Sequence, residues 1–340
     1  MRSATDMPIS QVASQQAEQV KLDRKPITFR QDIFTLAKVR LTAMVVITTV
    51  VGFVAGANGH THWLPLALVA IGTWLVAGSA SAINQVLEIG PDGLMDRTCQ
   101  RPLPTGRLLP STAVLFSIFT GVCGLGLLYF GCNPLTAALG LANLIIYAFV
   151  YTPLKRISTL NTLVGAICGA IPPMMGYAAA TGNVGLPGCV LGLLLFVWQI
   201  PHFLALAWMY RDDYAHGGFR MLPVVDTTGR ITCGMMILYS ALLIPVSMAA
   251  WFFGFAGGWY AFSALLLGGG MVGLSLQLQR DKTRQHARRV FLASVIYLPL
   301  ILVLLMANLR HRPVGPIHVI IAAPHGQLIP GETIAPAARP

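Results

Sequence analysis

The chain has 340 residues, of which 55% are hydrophobic and only 10% are charged, and its formal net charge is +11. Soluble domains carry about 25% charged residues on average, so this composition excludes an ordinary soluble globular protein. Membrane topology and attraction to anionic lipid account for the positive charge, so no nucleic-acid partner is required.

Nine apolar stretches follow one another along the chain, each long enough to cross roughly 30 Å of hydrocarbon. They cover residues 36–57, 63–85, 110–131, 133–151, 161–181, 187–210, 231–254, 258–278 and 289–308. These stretches predict an all-α polytopic membrane protein, with nine transmembrane helices in a domain spanning residues 33–308. Residues 1–32 are polar and are expected to form a flexible cytoplasmic extension. Residues 309–340 are rich in proline and are expected to form a non-cytoplasmic tail without packed structure.

The charged residues are distributed unevenly between the two sides of the predicted bundle. Of the 23 Lys and Arg residues, 20 lie in residues 1–40 or in the connections after stretches two, four, six and eight. The same regions hold 11 of the 12 acidic residues. The positive-inside bias places the N-terminus in the cytoplasm and the C-terminus outside. Four acidic residues within 1–32 favour a bacterial inner membrane, because transit peptides are poor in acids.

A ladder of polar residues follows the second stretch, where Asn84, Glu88, Asp92 and Asp96 recur every four residues. Gly90-Pro91 interrupts it, because a proline cannot donate to the carbonyl four residues earlier, so the helix is expected to kink or end there. Asp92 and Asp96 would then lie on a loop or short turn. Carboxylates concentrated at a membrane boundary need compensation, and Mg²⁺ bridging to a substrate diphosphate is one form of it.

Basic residues near the ladder offer a second interpretation. In that alternative the acids form a solvated loop and pair with Arg97 and Arg101. At the end of the fourth stretch, Lys155 and Arg156 have the chemistry to bind phosphate, but as positive-inside flanks they would look the same. Both interpretations stay open at this point.

The sixth stretch ends in a run that mixes aromatic, polar and acidic residues. Gln199 and His202 are polar groups within an apolar helix, where such groups usually face the bundle interior. His202 is either a helix-to-helix hydrogen bonder or a ligand contact. Asp212 and Asp213 follow at the helix end beside Arg211. Together these groups place acids, bases and aromatics on one face, next to an interior able to house a long apolar tail. This combination suggests transfer chemistry on an isoprenoid diphosphate.

These motifs carry a resemblance to a known family. Three motifs resemble the protohaem IX farnesyltransferase branch of the UbiA prenyltransferase superfamily. They are the ladder with its Arg-Thr-x₂-Arg-Pro-Leu continuation, the stretch from Tyr151 to Arg156, and the run from Trp198 to Val225. The likeness covers about residues 33–308, and the run from Trp198 is its most specific part. Glu88 departs from the pattern, which more often has Asp there, so its metal contact is expected to pass through water. Gly90-Pro91 also departs from it.

The resemblance implies nine helices around a central cavity and an Mg²⁺-dependent ionisation of farnesyl diphosphate. The farnesyl group would be transferred to a vinyl group of haem B, with water addition giving haem O. The metal ligands it implies are Asp92, Asp96, Asp212, Asp213 and Glu88, and the catalytic residues are Asp92, Asp96, Asp213 and Lys155. The implied substrate-binding residues are Asn84, Arg97, Arg101, Tyr147, Tyr151, Arg156, Trp198, Gln199, His202, Phe203 and Arg211. A haem A synthase or a terminal oxidase is a candidate assembly partner.

Three rival classes of protein are set apart by sequence features. A UbiA-type enzyme acting on an aromatic or quinone precursor would share the acidic motifs but not the run from Trp198 to Phe203. A transporter would be expected to show internal repeats and polar residues at mid-membrane depth. A structural membrane protein would have no reason to collect acids beside bases on one face.

Overall fold

The computed structural model describes residues 28–309 and, by backbone alone, residues 321–322 and 328–329. Most of the predicted N-terminal extension (1–27) and most of the predicted tail lie outside the described residues. Within them, the helices are α1 (Phe29–Leu36), α2 (Val39–Gly56), α3 (Trp63–Leu87), α4 (Ile89–Leu94), α5 (Pro110–Gly131), α6 (Pro134–Ile145), α7 (Thr152–Ile157), α8 (Asn161–Thr181), α9 (Gly185–Met209), α10 (Arg211–His216), α11 (Leu222–Val225), α12 (Arg230–Phe252), α13 (Gly258–Asp281) and α14 (Arg284–Ala307). Two short strands, β1 (Ile321–Ala322) and β2 (Leu328–Ile329), pair antiparallel.

Nine helices of the described chain are long and apolar enough to cross a membrane, which confirms the predicted all-α polytopic class. They are α2, α3, α5, the continuous span from α6 to α7, α8, α9, α12, α13 and α14. The fourth span contains a π-helix, Ile146–Tyr151, between α6 and α7. It reaches Ile157, so Lys155 and Arg156 lie on the last turn of a helix rather than in a loop.

Helix ends differ from the hydropathy pattern where a capping residue is present. Helix α14 begins at Arg284, five residues before the predicted apolar stretch, because the Thr283 side chain accepts a hydrogen bond from the backbone N–H of His286. Such a cap satisfies one of the free donors of the first turn and extends a helix into polar sequence. Helix α1 starts in the same way, with Thr28 and Gln31 forming a reciprocal capping box.

The start of the described chain and the connections that follow alternate spans meet at one end of the bundle, which we call the charged end (residues 28–40, 88–109, 155–160, 210–230 and 280–289). Asp32 on α1 pairs with Arg107 at 3.0 Å, and Lys282 Nζ donates to the Thr228 carbonyl at 2.9 Å. The acids and bases that the sequence separates by long apolar spans are therefore brought together at this end.

Glycines let α2 and α8 approach closely. A Cβ at Gly176 would lie 1.8 Å from the Thr49 carbonyl oxygen, and one at Gly52 would lie 2.0 Å from that of Pro173. Small residues at such crossings are a common device of membrane helices, whose association depends on close packing. This crossing holds together two of the walls of the cavity described below.

Replacing Gly176 with alanine should lower the stability of the purified protein, because the added methyl group meets rigid backbone. Overpacking of this kind costs about 1–3 kcal/mol, measurable as a lower midpoint of thermal unfolding in detergent. Gly270→Ala is the matched control, since a Cβ there meets nothing within 4 Å. Equal midpoints for the two variants would contradict the role assigned to this crossing.

Candidate active site

The polar ladder leaves the membrane through a broken helix. Helix α3 ends at Leu87 and α4 begins at Ile89, so the predicted interruption is present but falls at Glu88; Gly90-Pro91 and Asp92 lie within α4 rather than on a loop. Asn84 and Asp92 are fully buried and Glu88 is 4% exposed, whereas Asp96 lies exposed in the loop beyond α4. The ladder therefore runs from the protein interior to the surface of the charged end.

Two buried ion pairs hold the ladder acids. Arg101 Nη1 lies 2.6 Å from Asp92 Oδ2, and Lys155 Nζ lies 2.8 Å from Glu88 Oε1. The predicted alternative is thus confirmed for the pairing of Arg101 with Asp92 and wrong for the solvated loop, because Asp92 is fully buried. Its other carboxylate oxygen, Oδ1, is buried without a hydrogen-bond partner among the described residues. A buried carboxylate oxygen of this kind is unusual and is suited to a cation.

A lysine that the sequence interpretation counted only as a topological flank belongs to the same cluster. Lys38 Nζ donates to Asn84 Oδ1 and, at 3.4 Å, to the Tyr147 hydroxyl. Asn84 Nδ2 in turn donates to Thr152 Oγ1 at 3.0 Å. Lys38 takes a left-handed conformation with φ of 46° between α1 and α2, a geometry that periodicity does not reveal. The available signal was a lysine inside the first predicted apolar stretch, which begins at residue 36.

The second acidic segment meets the first at one point. The backbone N–H of Asp96 donates to Asp213 Oδ1 at 2.7 Å. The Arg97 guanidinium lies 5.7 Å from the Tyr210 ring centroid and 5.5 Å from that of Tyr214. Arg97 therefore stacks on aromatic rings instead of pairing with a ladder acid, and it fastens the loop after α4 to α10.

Three residues predicted for the site lie at its exposed margin. Asp212 has 88% of its side chain exposed and pairs with the neighbouring Arg211 at 3.4 Å. Arg156 is exposed on the last turn of α7. Asp213 differs from them in accepting a hydrogen bond from the loop after α4, through the backbone N–H of Asp96.

An apolar cavity of about 430 Å³ adjoins the buried cluster, which consists of Lys38, Asn84, Glu88, Asp92, Arg101 and Lys155. All six of the aromatic and polar residues that the sequence singled out in spans four and six line it: Tyr147, Tyr151, Trp198, Gln199, His202 and Phe203. Helices α2, α3, α6, α8, α9 and α14 contribute the remaining wall. Lys155 connects the two regions, since its Nζ lies 4.7 Å from the Tyr151 ring centroid.

Gln199 and His202 owe their positions to neighbours on other helices. A Cβ at Gly169 of α8 would lie 1.7 Å from Gln199 Nε2, so the glycine makes room for this side chain. The His202 ring is stacked between Trp198 and Phe291, with both centroid distances at 4.8 Å. Its Nδ1 lies 2.8 Å from Ser294 Oγ on α14, which is the helix-to-helix hydrogen bond of the simpler interpretation.

The residues present are compatible with Mg²⁺, although among residues 28–309 no group of three or more His, Cys, Asp and Glu side chains stands ready as a cation cage. Mg²⁺ does not require such a cage, because it usually keeps several waters and takes one or two carboxylates together with substrate phosphates. The unpartnered Asp92 oxygen supplies a donor of that kind beside basic residues suited to phosphate.

Fold and site together define a class of protein: a polytopic membrane protein in which buried acid–base pairs border an apolar cavity. The sequence profile of the UbiA prenyltransferase family matches residues 45–307. The chain belongs to this family.

Relatives with established names share much of the sequence. The Protoheme IX farnesyltransferase of Solibacter usitatus is 40% identical over 287 residues, which cover 82% of this chain and 98% of that protein. The mitochondrial Protoheme IX farnesyltransferase of Arabidopsis thaliana is 39% identical over 278 residues. That match covers 82% of this chain but only 64% of the plant protein.

Solved structures share the fold at low sequence identity. A digeranylgeranylglyceryl phosphate synthase superposes with a TM-score of 0.70 at 18% identity, covering 82% of this chain and 97% of that one. A UbiA homolog from Archaeoglobus fulgidus bound to GPP and Mg²⁺ superposes with a TM-score of 0.57 at 13% identity, covering 81% and 99%. These likenesses concern the helical architecture.

Proposed function

We propose that this chain transfers the farnesyl group of farnesyl diphosphate to a vinyl group of haem B, and that water addition yields haem O. The observation that carries the proposal is Lys155, which pairs with Glu88 in the buried cluster and lies against Tyr151 in the cavity wall. A diphosphate bound at the cluster would therefore place its isoprenoid tail in the apolar cavity. The name of the Solibacter usitatus relative, which matches over nearly its whole length, supports haem as the acceptor.

Basic residues around the cluster are proposed to bind the diphosphate. Lys155 and Arg101 are partly buried beside the acids, and Lys38, between α1 and α2, contacts the cluster through Asn84. Arg97, in the loop after α4, donates to the Tyr214 hydroxyl on α10 and so links the two acidic segments. Their charges would stabilise the negative charge that grows on the departing diphosphate. Arg156 and Arg211, at the exposed margin, are proposed to attract the substrate from solution.

Asp92, Asp96 and Asp213 are proposed to hold Mg²⁺, with Asp212 and Glu88 contributing through water. When bound, Mg²⁺ neutralises charge on the diphosphate oxygens. The buried and unpartnered Oδ1 of Asp92 and the contact between Asp96 and Asp213 support this assignment. The structure of the Archaeoglobus fulgidus homolog bound to GPP and Mg²⁺, which shares this helical architecture, supports the proposal.

The cavity wall is proposed to guide the transfer. The bond between the farnesyl carbon and the diphosphate oxygen breaks with its electron pair on the diphosphate. Tyr147, Tyr151, Trp198 and Phe203 face the resulting allylic cation with electron-rich rings and exclude water. The vinyl π electrons form the new carbon–carbon bond, water adds to the cation left on the porphyrin substituent, and the water proton leaves to solvent.

Membranes containing the chain, incubated with farnesyl diphosphate, haem B and Mg²⁺, are expected to form a porphyrin with the mass of haem O. Asp213→Ala should lose this product while remaining in the membrane, and addition of a chelator should suppress it. Asp281→Asn is the matched control, because Asp281 is an exposed acid of the same end that lies 3.7 Å from His286 Nε2. Prenylation of an aromatic acid or a quinone precursor, with haem B left unchanged, would replace this proposal by the rival enzyme.

Lys38 should make diphosphate binding depend on pH. Burial lowers the pKa of Lys38 to about 7, and the charges of Arg101 and Lys155 act in the same direction. Since a lysine gains its charge below its pKa, the affinity for inorganic pyrophosphate should rise as the pH falls through about 7. Lys38→Arg, charged at every pH, should show a weaker dependence in parallel titrations, which cancel the ionisation of pyrophosphate itself. Parallel pH profiles for the two proteins would contradict this role.

The setting of the enzyme is proposed from the charge distribution. The charged end is rich in Lys and Arg, which by the positive-inside rule faces the cytoplasm of a bacterial inner membrane. The N-terminus would then be cytoplasmic and the C-terminus outside. A haem A synthase or a terminal oxidase is proposed as an assembly partner, because haem O would have to pass to an enzyme or oxidase that uses it.

A further inference from the structure

A chain of hydrogen bonds on α14 determines which nitrogen of His202 carries a proton. Ser294 Oγ lies 2.6 Å from the Phe291 carbonyl oxygen and 2.8 Å from His202 Nδ1. A serine hydroxyl has one hydrogen to donate, and a carbonyl oxygen can only accept. The Ser294 hydrogen is therefore committed to Phe291, and Ser294 Oγ must accept from Nδ1–H of His202.

This tautomer leaves the lone pair of the neutral ring on Nε2. In the described chain Nε2 of His202 makes no hydrogen bond. It is not one of the fully buried polar atoms that lack a partner, so part of its surface is accessible. The side chain lines the cavity, and no aspartate or glutamate lines it. Without a counter-charge, burial disfavours the imidazolium form, which would place a second proton on Nε2.

The ring is also held in one orientation. Trp198 stacks on it with planes 23° apart, and Phe291 stacks on it with planes 29° apart. Trp198 is itself fixed by a 2.8 Å hydrogen bond from its Nε1 to the Ser294 carbonyl. Ser294 thus contacts both the histidine and one of its stacking partners, and the imidazole can neither tilt nor flip without breaking these contacts.

We infer that Ser294 fixes His202 as an Nδ1–H imidazole so that Nε2 serves as an axial ligand to the iron of haem bound in the cavity. This inference rests on the proposed function, since it assumes a haem substrate. Neutral imidazole is a common axial ligand of haem iron, and an acceptor on the other ring nitrogen is the usual way in which such a ligand is oriented. Ligation would position the porphyrin so that a vinyl edge faces the isoprenoid. Ser294 is therefore a positioning residue.

Haem B titrated into the purified protein in detergent tests the ligand. The wild type should give the absorption spectrum of histidine-ligated haem, and His202→Ala should lose that spectrum, with ligation restored by added imidazole. A wild-type spectrum and affinity for His202→Ala would overturn the inference. If His202→Ala keeps the wild-type haem spectrum and still forms haem O, the ligand role of His202 is refuted and the proposed function stands. If the wild type forms no haem O, the proposed function itself is refuted.

Two variants separate the role of Ser294 from general packing. Ser294→Ala should weaken haem B binding by about 10–100-fold, the usual effect of removing the partner of a metal ligand, and Ser294→Thr should recover most of it. Ser240→Ala is the matched control, because Ser240 is a buried hydroxyl that pairs with Ser275 on another helix. Nitrogen-15 NMR of the haem-free wild type should show the proton of the His202 ring on Nδ1. A protonated Nε2 there, or unchanged haem binding by Ser294→Ala, would overturn the role of Ser294.

Discussion

Asp92→Asn is expected to reduce prenyl transfer by on the order of 10²–10³-fold, the range seen when one preorganised electrostatic contact to the reacting charge is removed. The substitution keeps the shape of the side chain but removes the charge of a carboxylate that is fully buried. One of its oxygens pairs with Arg101, and the other has no partner in the described chain. The measurement is the rate of haem O formation in membranes containing equal amounts of each protein.

The control for this experiment must separate chemistry from folding. Asp281→Asn removes a charge from the same end and should keep the wild-type rate. Asp92→Asn leaves Arg101 without its partner, so thermal unfolding should be measured in parallel for both variants. A normal rate with Asp92→Asn would remove Asp92 from the metal and diphosphate site.

Lys155→Met is expected to impair both stability and activity, and a second substitution should separate the two effects. Lys155 and Glu88 form a pair whose side chains are 12% and 6% exposed. Removing one partner of a buried pair leaves the other uncompensated and costs about 3–5 kcal/mol. The double variant Lys155→Met with Glu88→Gln removes both charges, so its unfolding midpoint should recover much of the loss.

Activity should not recover with stability in the double variant. The proposed role of Lys155 is to place positive charge on the departing diphosphate, and methionine cannot supply it. Haem O formation should therefore stay low in a protein that is again well folded. If the double variant regained the wild-type rate, Lys155 would have a purely structural role in balancing Glu88.

Hydropathy predicted the spans because membrane thickness imposes a minimum length on every apolar helix. The third and fifth spans begin and end at the predicted residues, Pro110–Gly131 and Asn161–Thr181. The start of α14 was missed because a single capping hydroxyl, Thr283, extends the helix into polar sequence. The break after Leu87 was predicted because proline has a local and unavoidable effect on backbone hydrogen bonding.

Apart from the pairing of Arg101 with Asp92, the partners within the candidate site could not be predicted, because they depend on distant contacts. Lys38 and Asn84 are 46 positions apart, and nothing in the local pattern links them. Asp212 and Asp213 look equivalent in sequence, yet successive residues of a helix point about 100° apart. Helix α10 therefore turns Asp213 toward Asp96 and leaves Asp212 in solvent.

The π-helix at Ile146–Tyr151 sets the rotational phase of everything that follows it in the fourth span. A π turn accommodates an extra residue, and each added residue rotates the later side chains by about 100°. Thr152 faces Asn84 and Lys155 faces Glu88 only in this phase. The identity of the base at position 155 is thus tied to backbone hydrogen bonding one turn earlier. If the same stretch formed a regular α-helix, position 154 would take the phase that faces Glu88, and Lys155 would be rotated away by about 100°.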